Sequence, residues 1–149
     1  MGKRIILGTL VVASVLAGVT AVQASDALKA IVGSYLEIQA KLATDKVDGI
    51  KPAAEAIAAQ AARLGTDGDA LVKSATAVAA ATDLKTARTA FGDLSDAVIA
   101  AGKADGWKDV PEVKVAYCPM VKKSWVQKEA EIRNPYYGTA MLTCGTFTK

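Results

Sequence analysis

Histidine is absent from all 149 residues of the chain, and cysteine occurs only twice. Without an imidazole, neither a histidine metal ligand nor a nucleophile–histidine pair can be built. Catalysis would rest on isolated Asp, Glu, Lys or Cys, and no motif sets a nucleophile beside a base, so no enzymatic activity is expected. The two thiols, Cys118 and Cys144, stand far apart in sequence. That spacing excludes redox exchange on a C-x-x-C pattern, and the absence of C-x-x-C-H excludes haem attachment. Aromatic residues make up only 5% of the chain, and no long basic run follows its first residues. A nucleic-acid partner is therefore not expected.

The N-terminus has a different character. Lys3 and Arg4 precede an apolar stretch from Ile5 to Val22, and Val22-Gln23-Ala24 places small residues ahead of Ser25. This pattern reads as a secretory signal over residues 1–24, with cleavage after Ala24. The competing reading is an uncleaved membrane anchor, because the apolar run is nearly long enough to span a bilayer. No cysteine follows the run, which argues against a lipoprotein anchor. Residues 25–149 are then expected to form a single periplasmic or secreted domain, with no membrane association once the signal is removed. Lys3 and Arg4 are two of the 18 basic residues that oppose 15 acidic ones, so the remainder is close to neutral.

Over residues 25–103 apolar side chains recur at helical spacing. Leu28, Ile31, Tyr35, Ile38 and Leu42 mark a first helix, with Asp26 placed to cap it. Ile50, Ala54, Ile57, Ala61 and Leu64 mark a second, and Leu71, Val72, Ala75, Val78 and Ala79 a third. Leu84, Ala87, Phe91, Leu94, Val98 and Ala101 mark a fourth, capped by Thr82 or Asp83. Short loops between such helices favour antiparallel neighbours. The expected class is mainly α, an up-down bundle of three to four helices. Phe91 and Leu94 are expected in its core. Residues 104–149 are expected to be an irregular tail with a short strand near Val113–Tyr117, one or two helical turns within 124–132, and a turn at Asn134–Gly138. Too small for its own core, this tail should pack on the helices through Trp107, Trp125, Tyr136 and Tyr137. Arg133 and the pair Lys122–Lys123 read as solvated charges.

Every sulfur beyond the initiator methionine lies in that tail, as Cys118-Pro119-Met120 and Met141-Leu142-Thr143-Cys144. Pro119 disfavours helix at Cys118, so an extended Cys118–Met120 would point both side chains to one side. Met141 and Cys144 meet if they share a turn. Two thiols and two thioethers form a soft donor set, suited to Cu(I) or Ag(I) rather than to cations that prefer oxygen. Two other readings stand beside it. Cys118 and Cys144 could form a disulfide, which would add about 3 kcal/mol through loop closure, or remain a free thiol pair. Met120 and Met141 could be ordinary packing residues.

Three segments carry a resemblance: Tyr117-Cys118-Pro119-Met120, Ile132-Arg133-Asn134-Pro135-Tyr136-Tyr137-Gly138 and Met141-Leu142-Thr143-Cys144-Gly145. Together they resemble a bacterial exported domain of unassigned function that also occurs fused to periplasmic adaptor subunits of copper/silver efflux systems. Tyr35-Leu36 and Ala90-Phe91-Gly92-Asp93-Leu94-Ser95 look like the helical part of that family. The resemblance implies a soft-metal site at Cys118, Met120, Met141 and Cys144, in copper buffering or transfer, with an efflux adaptor or another envelope protein as partner. A disulfide-closed interaction module without metal is the alternative.

Overall fold

The computed structural model describes the backbone of residues 15–110 and 112–148 and the side chains of 24–110 and 112–148. The basic start and most of the apolar stretch of the expected signal lie outside the described residues. Four helices form the larger part: α1 (Val15–Leu42), α2 (Ile50–Ala62), α3 (Asp69–Ala79) and α4 (Leu84–Asp105). Among the described residues, no helix is long and apolar enough to cross a membrane. The chain is mainly α, as its periodicity indicates.

The apolar stripes face one another. Leu28, Ile31, Tyr35, Ile38 and Leu42 of α1, Ile57 of α2, Leu71 and Val78 of α3, and Phe91, Leu94 and Val98 of α4 share one core. Consecutive helices touch, and α4 also contacts α1. Alanines such as Ala54, Ala61, Ala75 and Ala87, all buried, present little bulk at these contacts. Pro52 falls in the first turn of α2, where its missing donor breaks no bond.

Asp83 caps α4: its carboxylate accepts the Thr86 amide at 2.8 Å, and the Thr86 hydroxyl accepts the Asp83 amide in return. At the other end Gly106 adopts a left-handed φ of 72°, and the Trp107 amide donates back to the Gly102 carbonyl at 3.0 Å. Asp26, expected as a cap, instead lies inside α1. The helix continues toward the N-terminus through apolar and alanine residues and crosses the expected cleavage position without a break.

The tail is more regular than its sequence suggests. β1 (Lys114–Cys118), β2 (Lys123–Gln127) and β3 (Thr146–Phe147) form an antiparallel sheet in the order β2-β1-β3. The helical turns expected within 124–132 are absent, since β2 occupies Lys123–Gln127. The residues between Cys118 and Lys123 close a hairpin in which these two are partners. That pairing turns Trp125, a good strand former, into the core.

Trp125 and Tyr136 are the main anchors of the tail on the helices. Phe91 lies 4.8 Å from the ring of Tyr35 and 6.0 Å from that of Tyr136, which in turn meets Trp125 edge-on at 6.0 Å. The Tyr35 hydroxyl bonds Ser95 at 2.7 Å and accepts the Val126 amide at 3.1 Å. Burial pushes the Tyr35 phenol well above its ordinary range, so it holds helix and sheet together as a neutral group. Trp107 and Tyr137 are only half-buried.

Candidate metal centre

The site begins with a constraint on the hairpin. Pro119 has no amide hydrogen, so the first donors after Cys118 are the amides of Met120 and Val121. Both face the Cys118 sulfur at the end of β1 and make its thiol more acidic. Lys122 closes the turn in a left-handed conformation, φ 54°, and β2 begins at the next residue. Cys118 itself is fully buried.

A second turn brings in the other thiol. The Cys144 amide donates to the Met141 carbonyl at 3.1 Å, the local turn that the Met141–Cys144 spacing calls for. Gly145 follows with φ 141°, packed so tightly that a Cβ would lie 2.8 Å from the Trp125 ring and 2.9 Å from the Tyr117 carbonyl oxygen. This contact presses the Cys144 segment against β1. The Cys144 side chain lies close enough to Cys118 for the two to affect each other's acidity, and both are free thiols.

Asn134 ties the two turns together from within. Its Oδ1 accepts the amides of Tyr136 at 2.8 Å and Tyr137 at 3.2 Å. Its Nδ2 donates to the Cys144 carbonyl at 2.7 Å and faces the Cys118 sulfur. Its own amide donates to Leu142 at 2.7 Å, and its carbonyl accepts the Gly138 amide at 3.0 Å. Asn134 is wholly buried, and its bond from the Tyr136 amide is buried with it. Its sequence context points to a turn. Its reach to both cysteines depends on long-range packing and has no local signal.

The two thiols differ electrostatically. Burial pushes the Cys118 thiol up, but the Val121 amide, the Asn134 side chain, the Met120 amide and the Cys144 thiol together outweigh it, and the net direction is downward. Cys144 moves up, first through burial and then because it donates to Cys118 and faces its charge. Cys118 is thus the more acidic thiol of the pair and Cys144 the less acidic one.

The thioethers sit differently from the thiols. Met120 is in the hairpin turn, not on an extended segment, so it offers its amide to Cys118 while its side chain is 62% exposed. Met141 is 36% exposed. Among the described residues, no three His, Cys, Asp or Glu side chains gather where they could hold a metal ion. An ion bound here would rest on the two sulfurs of Cys118 and Cys144, with a thioether in each of the same two turns, a set of sulfurs that fits a soft cation. The amide bonds to Cys118 are of the outer-shell kind that orient a ligand sulfur.

A polar clasp that the sequence does not announce fixes the base of the site. Arg88 of α4 donates from Nε to the Pro135 carbonyl at 2.8 Å and from Nη2 to the Leu42 carbonyl at 2.9 Å and to Asp45 at 2.5 Å. Asp45, left-handed at φ 58°, also accepts the Thr139 hydroxyl and its amide. Gly138 must be glycine here, because a Cβ would lie 2.0 Å from the Asp45 carboxylate. One expectation for a surface charge changes: Lys123 pairs with Asp93 at 3.1 Å and Asp96 at 2.7 Å. The Arg133 backbone carbonyl accepts Gln39 at 2.7 Å. Compared with protein-family models, with curated proteins and with solved structures, the chain finds no match.

Proposed function

We propose that this protein is a small exported carrier of Cu(I) or Ag(I), acting in buffering or transfer, with Cys118 and Cys144 as the retaining ligands. The observation that carries the reading is the meeting of the two thiols under a set of N–H donors. Soft thiolates select such ions, and the N–H groups around Cys118 favour its thiolate over its thiol. Met120 and Met141 are the thioether donors of the same turns. Transfer then proceeds by ligand exchange, with no catalytic group required. The resemblance to a domain fused to copper/silver efflux adaptors supports a periplasmic setting and an adaptor or other envelope protein as partner. We read the four helices as an up-and-down bundle serving as scaffold, a reading supported by contacts of each helix with the next and of α4 with α1.

Competition of the reduced protein against a chromophoric Cu(I) chelator tests the proposal. One ion per chain is expected, with binding lost in Cys118→Ser and in Cys144→Ser. Full affinity in either variant contradicts it. The same adjacency of free thiols favours a second reading, a Cys118–Cys144 disulfide in an interaction module without metal. An oxidised protein that takes up no Cu(I), and still takes up none after reduction, would select that reading.

A further inference from the structure

The four sulfurs are arranged by depth. Cys118 is fully buried, Cys144 is half-buried, Met141 is 36% exposed and Met120 is 62% exposed. Both methionines stand among the few large apolar side chains that the described residues leave in water, together with Val121 and Phe147 of the same tail. A methionine used as core filler would be covered, and these two are not. Yet each shares a turn with a cysteine: the Met120 amide faces the Cys118 sulfur, and the Cys144 amide donates to the Met141 carbonyl. Flexible, polarisable side chains therefore reach solvent from the same two turns whose thiols lie deeper.

We infer that Met120 and Met141 are the entry ligands of this site, taking Cu(I) from a donor and passing it inward to Cys144 and then Cys118, which retain it. The inference rests on the proposed Cu(I) site and adds a division of labour between affinity and rate. Charge and bonds balance without a redox step. Cu(I) remains monovalent throughout, each bond to a neutral thioether breaks as a bond to a thiolate forms, and each thiol gives its proton to solvent as its sulfur takes up the ion. A neutral, weak, exposed donor suits the first step, because it can exchange with the ligand of a partner without trapping the ion. The anionic pair suits the last step, because a released ion would have to leave two thiolates at once.

The test uses the reduced chain and Cu(I) supplied as its complex with a bidentate chromophoric chelator. Loading is followed by loss of chelator colour in a stopped-flow instrument, and affinity is taken from the end point of the titration. The variant Met120→Leu/Met141→Leu keeps side-chain volume at exposed positions, so it should fold as the parent does. Its loading rate should fall by about tenfold, equivalent to about 1.4 kcal/mol of barrier. Its end-point affinity should stay within about threefold of the parent, below 1 kcal/mol. An unchanged loading rate overturns the entry role. A loss of affinity that accounts for the whole change in rate overturns it as well, by making all four sulfurs a single site. Failure of the parent chain to take Cu(I) at all overturns the metal reading itself, a result distinct from the other two.

Discussion

Asn134→Ala is the substitution that best separates a site held by long-range packing from one held by its own turns. The alanine removes the acceptor of the Tyr136 and Tyr137 amides and the donor to the Cys144 carbonyl. All three partners belong to segments that pack on Trp125 or Phe91. Leaving a buried partner unsatisfied costs about 1 to 3 kcal/mol. Tyr137 is half-buried and water can reach its amide, so two of the three partners carry most of the loss. A destabilisation of about 3 kcal/mol follows, a large share of the about 5 to 15 kcal/mol that holds a domain of this size.

Urea unfolding followed by tryptophan fluorescence measures that loss, because Trp125 reports on the tail directly. The midpoint should fall with little change in slope. The Cys118 sulfur also loses a donor, so Cu(I) affinity should fall beyond what stability explains, even where the variant is fully folded. A midpoint shift worth under about 1 kcal/mol, with Cu(I) binding unchanged, would refute the role given to Asn134.

Three further outcomes are expected. Phe91→Ala should cost about 3 to 5 kcal/mol, as a fully buried aromatic between Tyr35 and Tyr136, and a loss near zero in urea unfolding would contradict its place in the core. Gly145→Ala should destabilise by about 1 to 3 kcal/mol through overpacking against Trp125, and should weaken Cu(I) binding by pushing Cys144 away from Cys118. The Thr139 hydroxyl, and after it Arg88, hold the Asp45 carboxyl below the usual carboxylate range. A depressed folded value means that ionised Asp45 stabilises above about pH 4 and that this support is lost as pH falls through the folded value. The difference in unfolding midpoint between the parent and Asp45→Asn should therefore be full at neutral pH and shrink in acid, and a constant difference would refute the clasp.

Much of the helical half was legible because its signals are local. A stripe such as Leu28-Ile31-Tyr35-Ile38-Leu42 needs only helical geometry to define a buried face, and Asp83 needs only Thr86 to cap a helix. The tail was harder to read. Lys123–Gln127 became a strand because the hairpin places it opposite β1, information carried by pairing and not by its own periodicity. The exposure of Met120 follows from the same turn, which points an amide at the sulfur where an extended chain would have pointed a thioether. The meeting of Cys118 and Cys144 could be anticipated from chemistry, since both a metal ion and a disulfide require it. The means, Asn134 from one loop and Gly145 against Trp125, depend on contacts between distant segments. Arg88 reads as an ordinary helix-surface charge, and its three partners come from two other parts of the chain.

The central claim is that Cys118 and Cys144 act together as thiolate ligands of a soft ion. Native mass spectrometry of the protein isolated from the cell envelope, with and without reductant, tests it most directly. The account predicts a reduced chain carrying one copper or silver ion, which is lost in both Cys118→Ser and Cys144→Ser. A chain about two mass units light, whose thiols are joined and which takes up no Cu(I) after reduction, would contradict it.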